Sequence, residues 1–139
     1  MTKTELPQEV KTLIENAKAG GHSVYSLNIA GVKYYYRSIT RAEFRDLQQK
    51  LTKDAEEVKK KFDALKKDIP EKDPRMEDIN MQFEAEANIL KEKGEERLVA
   101  VGLLYPAITQ NTPAGIVPTI SDQIMFGSGY GNEEEPEVL

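Results

Sequence analysis

Cysteine and tryptophan are missing from this chain of 139 residues, and it has one histidine. Without cysteine there is no disulfide, no thiolate metal site and no cysteine nucleophile, and such a composition suits a reducing compartment. The one histidine, His22, follows Gly20-Gly21. A catalytic triad or a histidine-rich metal site would have to be built around it, and neither a Gly-x-Ser-x-Gly elbow nor a His-Glu-x-x-His pair is present. His22 is expected to be a solvated turn residue. Long apolar runs are absent too: none approaches the roughly 18 residues that span a bilayer. The opening Met-Thr-Lys-Thr-Glu-Leu-Pro7 lacks the charged-then-apolar pattern of a secretory signal. No membrane partner is expected. Nor does one sign of charge dominate. The net charge is -5, and Glu133, Glu134, Glu135 and Glu137 account for four of those five negative charges. The nearly neutral body lacks the basic footprint that phosphate binding requires, so no nucleic-acid partner is expected.

What is present favours helices. Hydrophobic residues make up 39% and charged residues 31%, enough for a small core surrounded by long solvated helices. Residues 6–18 predict an amphipathic helix, with Leu6, Val10, Leu13, Ile14 and Ala17 on one face and Gly20-Gly21 as its stop. The period then changes to two. Val24, Tyr25, Leu27 and Ile29, followed by Val32, Tyr34 and Tyr36, alternate around Ala30-Gly31 as a β-hairpin does. Alternation should give one packed and one exposed face. Two strands alone are marginal in water, so the hairpin must pack on a helix or join a sheet in a partner.

Thr40-Arg-Ala-Glu43 is a capping box and predicts a helix start. Phe44, Leu47, Leu51, Ala55, Val58, Phe62 and Leu65 then follow a/d spacing for about three heptads. Pro70 and Pro74 break this helix, because each lacks an N–H and disfavours helical geometry in the residue before it. Met76, Ile79, Phe83, Ala87 and Leu90 resume the spacing, so residues 40–92 read as an antiparallel helical hairpin, or as a seam that pairs with another chain. Gly94 should mark a bend. Beyond it, Glu95-Glu-Arg-Leu-Val-Ala-Val-Gly-Leu-Leu104 reads as a buried helix ending at Tyr105-Pro106. Thr109 to Gly115 is turn chemistry, and Pro118 suits the first turn of a last helix carrying Val117, Ile120, Ile124 and Met125, stopped by Gly127-Ser-Gly129. Residues 131–139 form an acidic tail, expected to be disordered when free. The fold class is therefore α+β and mostly helical. A single domain is expected over 1–130, made of helix plus β-hairpin (6–37), helical hairpin (40–92) and C-terminal helices (95–130).

No stretch carries catalytic machinery. Gly127-Ser-Gly-Tyr-Gly131 lacks the Lys-Ser/Thr of a phosphate loop and follows a helix rather than a strand. Asp68 to Asp73 lacks the spaced acids, central glycine and closing glutamate of a calcium loop. Tyr34-Tyr35-Tyr36, between Lys33 and Arg37, could stack on bases, but the neutral body does not support it. The carboxylates lie on mixed-charge faces or in the tail, so neither enzyme activity nor a cofactor nor a metal is expected.

Two stretches carry a family resemblance. One is Tyr-Tyr-Tyr36-Arg-Ser-Ile-Thr-Arg41-Ala-Glu-Phe44-Arg-Asp-Leu47, an aromatic strand running into a helix. The other runs from Glu96-Arg-Leu-Val-Ala-Val-Gly-Leu-Leu-Tyr-Pro106 through Ala114-Gly-Ile-Val-Pro-Thr-Ile120 to Gly127-Ser-Gly-Tyr130. Together they resemble the small tail-assembly proteins of long-tailed bacteriophages, including baseplate-hub assembly proteins and tail-assembly chaperones. The match covers roughly 60 residues. The arms between 48 and 93 have no counterpart in it. The resemblance implies a role in tail or baseplate assembly or structure, by binding other tail or baseplate proteins, with a homo-oligomer as a further option. It places the chain in the host cytoplasm during assembly or in the virion tail. It makes Ile116, Val117, Ile120, Ile124 and Tyr130 the first partner-binding candidates, and Tyr34, Tyr36, Phe44 and Leu47 the second. Two alternatives stand beside it: a cytosolic helical adaptor pairing through its a/d seam, and a small carboxylate-dependent hydrolase.

Overall fold

A computed structural model describes residues 6–131 and Val138. Its elements in chain order are α1 (Gln8–Ala19), β1 (Val24–Ile29), β2 (Val32–Arg37), α2 (Arg41–Lys66), α3 (Pro74–Gly102), β3 (Leu103–Tyr105) and α4 (Ile116–Gly127). The fold is α+β and mostly helical, with one small antiparallel sheet. The described chain divides into two compact units. One comprises the residues up to Arg41 and those from Leu98 onward, and the other is Ala42–Arg97. Most of the acidic tail lies outside the described residues.

The first unit is built on the hairpin. Ile29 faces Val32, so the loop is the two residues Ala30 and Gly31, with φ of 51° and 79°. Positive φ at both positions matches the twist of the strands. Glycine adopts it freely, and alanine against a steric cost. At the open end the Ser38 N–H donates to Ser23 O (2.8 Å), and the Ser23 N–H donates to Ser38 Oγ (2.9 Å). The hairpin's missing neighbour comes from its own chain. β3 pairs antiparallel with β2, setting Tyr35 against Tyr105 and Tyr36 against Leu103, so the sheet order is β1-β2-β3.

That strand corrects the reading of residues 95–104 as a separate buried helix. α3 runs through Gly94 without interruption and ends at Gly102, after which Leu103–Tyr105 is extended. A lone glycine costs a helix only about 1 kcal/mol, and the good helix formers around Gly94 offset it. All three tyrosines of β2 are buried, which corrects the expectation of one exposed face. Tyr34 and Tyr36 lie on one face of the strand and Tyr35 on the other, so both faces are covered.

Helix α4 lies against the face that holds Tyr36. The Tyr25 hydroxyl donates to Gly127 O (3.1 Å), and the Tyr25 and Tyr36 rings stack with centroids 5.5 Å apart. The Ile39 N–H donates to Ser128 Oγ at 2.8 Å. The Tyr36 hydroxyl faces Gln123 Oε1 at 3.5 Å, and burial, with Tyr25 adding to it, raises the pKa of this phenol. Ile116, Ile120 and Ile124 recur every four residues on the inner side of α4 and are buried, as are Val10 of α1 and Leu98 and Val99 of α3. Gly102 lets α3 approach α4 closely. A Cβ there would stand 2.6 Å from Ile124 Cδ1, and Ile124 is fully buried and has nowhere to swing. Gly102→Ala is expected to lower stability by about 1–3 kcal/mol, the usual range for overpacking, as measured by urea unfolding.

In the second unit, α2 and α3 form the expected hairpin across the break at Pro70 and Pro74. The contacts run antiparallel: Phe62 meets Phe83 edge to face at 5.3 Å, Lys61 pairs with Glu86, and further along Arg97 pairs with Asp54 at 2.6 Å. Arg97 Nη1 is buried there without a hydrogen bond. Phe62 and Ile79 are the buried residues of this seam.

Candidate protein-binding surface

The structure distributes the residues singled out for partner binding very unevenly. Ile116, Ile120 and Ile124 are 2%, 0% and 0% exposed, and Tyr34 and Tyr36 are buried as well, so these five belong to the chain's own core and not to an open surface. The periodicity that drew attention to them marks a buried face, and that face is satisfied within the first unit. Val117 is half-buried on α4, and Phe44 and Leu47 are half-buried at the start of α2. Tyr130 alone of the nine is largely exposed, beyond the helix stop where its N–H donates to Met125 O (3.1 Å). Gly129, at φ 103°, makes that stop possible.

His22 is not the solvated turn residue it was expected to be. It is half-buried, with Nδ1 2.9 Å from Ser38 O and 3.1 Å from Arg37 Nη1, and Arg37 Nη1 donates to the same carbonyl at 3.0 Å. The ring therefore helps to close the open end of the hairpin.

Large apolar side chains are exposed in both units: Tyr25, Val32, Phe126 and Tyr130 in the first, and in the helical hairpin Leu65 on α2 and Met81, Phe83 and Ile89 on α3. Those of α3 fall on two sides. At about 100° per residue, Ile79, Phe83 and Leu90 share the side that meets α2, as the burial of Ile79 and the Phe62–Phe83 contact show. Met81, Ala85 and Ile89 lie on the opposite side within an arc of about 80°. There Met81 is 63% exposed, Ile89 49%, and Ala85 is exposed between them. Glu77, Asp78, Glu84 and Glu92, all exposed, border this stripe, with Lys93 at its C-terminal margin. The face is apolar along its centre and mostly acidic along its rim, with Lys93 the exception. Sequence reading missed it because the seam of α3 was followed and the second, four-residue spacing beside it was not.

The start of this helix is held by a residue that reading passed over. Asp73 Oδ1 accepts from the Arg75 N–H at 2.9 Å as an N-cap, and its carboxylate takes the Arg75 guanidinium at 2.8 and 3.2 Å. Those hydrogen bonds, first from the Arg75 side chain and then from its backbone, hold the Asp73 carboxyl at about 2, below the ordinary 3.8. A lowered folded-state pKa means that the cap contributes fully above pH 4 and is lost as pH falls from about 4 through about 2. Carboxyl NMR should show Asp73 titrating near 2, with loss of amide protection in the first turn of α3 over the same window. Beside this cap a shallow, open depression of about 450 Å³ has a mostly polar lining that includes Glu71, Lys72, Asp73, Asn80 and Glu84, with Met76 and Met81 in its apolar part.

Among the described residues no three His, Asp or Glu side chains are grouped as metal ligands, and no helix is long and apolar enough to cross a membrane. No family model matches this chain, and neither a curated protein nor a solved structure matches it.

Proposed function

We propose that this chain is a tail or baseplate protein of a long-tailed bacteriophage, without catalytic activity, that acts by binding other tail proteins during assembly or as a fixed part of the tail. The observation that carries the reading is the outer face of α3, where Met81 and Ile89 stand open to solvent on a two-helix hairpin. Scattered exposed apolar residues are ordinary, but large ones aligned along one helix face mark an interaction surface. The sequence resemblance in residues 34–47 and 96–130 supplies the setting, the host cytoplasm or the virion tail, and other tail or baseplate proteins as partners. The adaptor reading is weaker, because Phe62 and Ile79 already close the a/d seam within the chain. A carboxylate hydrolase finds little support in Asp54, which Arg97 holds, or in Asp73, which caps a helix.

The test is genetic and biochemical. Neighbouring genes should encode tail or baseplate proteins; these should co-purify with the tagged full chain on co-expression, and deletion should yield particles with incomplete tails. Normal infectious particles from the deletion, or a gene set without tail components, would sink the proposal.

A further inference from the structure

The chemistry of the α3 outer face narrows the kind of partner. Met81, Ala85 and Ile89 rise two turns along the helix, about 12 Å at 1.5 Å per residue, the length over which one helix seats its anchor residues on another. Around that centre acids outnumber bases, with Lys93 the base at its C-terminal margin. Glu77, Asp78, Glu84 and Glu92 are exposed on the rim, while the basic stretch Lys59-Lys60-Lys61 belongs to α2, where Lys61 is bound to Glu86 across the hairpin. A second copy placed on this face through its own α3 would set four acids against four, with only Lys93 of each copy to offset them, a net repulsion. An anionic membrane surface would be repelled likewise. Opposite charge around an apolar centre would be favoured in both terms.

We propose that the Met81-Ala85-Ile89 face docks an amphipathic helix of a partner protein whose apolar anchors are flanked by lysine or arginine. This rests on the protein-binding reading above and adds the chemistry of the partner. Ala85 leaves room for a large partner side chain between Met81 and Ile89, and the four acids supply an attraction for a basic partner that weakens with added salt.

The experiment uses the full-length chain and a labelled helical peptide of about 18 residues, with leucine at 3/4 spacing and lysine at the flanks, followed by fluorescence anisotropy in about 0.1 M salt. Three controls accompany it: the same peptide with glutamate for lysine, the same peptide with serine for leucine, and sedimentation of the chain alone. The lysine–leucine peptide is expected to bind and the two control peptides to fail. Met81→Ser/Ile89→Ser is expected to weaken binding at least tenfold, and Glu77→Gln/Glu84→Gln to weaken it and flatten its salt dependence. The apolar pair is exposed in the free protein, so thermal unfolding of the variants should match the parent. Unchanged binding by the serine pair overturns the proposal, as does equal binding of the peptide that lacks leucine. A dimer of the parent that the serine pair converts to monomer overturns it too, since the face is then covered by a second copy. If tail proteins co-purify equally with the parent and the serine pair, this face assignment alone fails. If they co-purify with neither, it is the assembly reading that fails, whatever the peptide result.

Discussion

Replacing Ile120 with aspartate should unfold the first unit. Ile120 is fully buried in α4, between Ile116 and Ile124 on the same inner face. Truncation to alanine removes apolar contacts and leaves a cavity, at a cost of about 2–5 kcal/mol, and the milder Ile120→Val should cost about 0.5–1.5 kcal/mol. Aspartate adds a carboxyl group for which that face offers no partner. It must either remain charged out of water or take up a proton, each at a cost of several kcal/mol. Against a typical total stability of about 5–15 kcal/mol, the alanine variant should fold with a lowered urea midpoint, while the aspartate variant should lose the hairpin's amide protection at neutral pH. The graded order valine, alanine, aspartate, followed by urea unfolding and hydrogen exchange, separates a core residue from a docking residue. An Ile120→Asp protein that folds like the parent would mean that α4 does not use this side for its core.

The same residue shows what the sequence can and cannot say. The four-residue spacing of Ile116, Ile120 and Ile124 correctly indicates one buried face, but periodicity does not say which chain buries it. Only the folded sheet, with Tyr25 and Tyr36 facing α4, shows that the cover is internal. The hairpin was legible because alternation and a two-residue loop are both local signals. So was the helical break, since Pro70 and Pro74 act on their own neighbours. β3 was not. Leu98-Val-Ala-Val-Gly-Leu-Leu104 is a short apolar run that suits a buried helix or a buried strand equally. What divides it at Gly102 is long-range, the pairing of Leu103 and Tyr105 with β2 and the close approach of Ile124. His22 was misread for a related reason, as its partners Arg37 and Ser38 are distant in sequence and reach it only when the hairpin closes. On α3 the reverse holds: Met81, Ala85 and Ile89 were visible as a spacing, but a stronger stripe ran beside them, and only exposure separates a seam from an open face.

Removing one ring at that seam should have the second largest effect. Phe62 is 2% exposed, meets Phe83 edge to face, and has Lys61 Nζ 5.5 Å from its ring centroid. Phe83 is itself only partly covered, so the seam depends on Phe62 more than on its partner. A phenylalanine-to-alanine change in such a setting costs about 3–5 kcal/mol, of which the edge-to-face pairing accounts for about 0.5–1.5 kcal/mol. Phe62→Ala is therefore expected to strip amide protection from the stretches of α2 and α3 around Phe62 and Phe83. Phe83→Ala should cost less, because water already reaches part of that ring. The double variant should cost less than the sum of the two single changes, by the energy of the ring pair. Equal and additive losses would show that the two rings are not coupled. A Phe62→Ala protein with undiminished protection would show that the hairpin is held elsewhere, through Asp54 and Arg97. Loss at Phe62 together with silence at Met81 and Ile89 would separate the two sides of α3 experimentally, one closing the hairpin and the other left open for a partner.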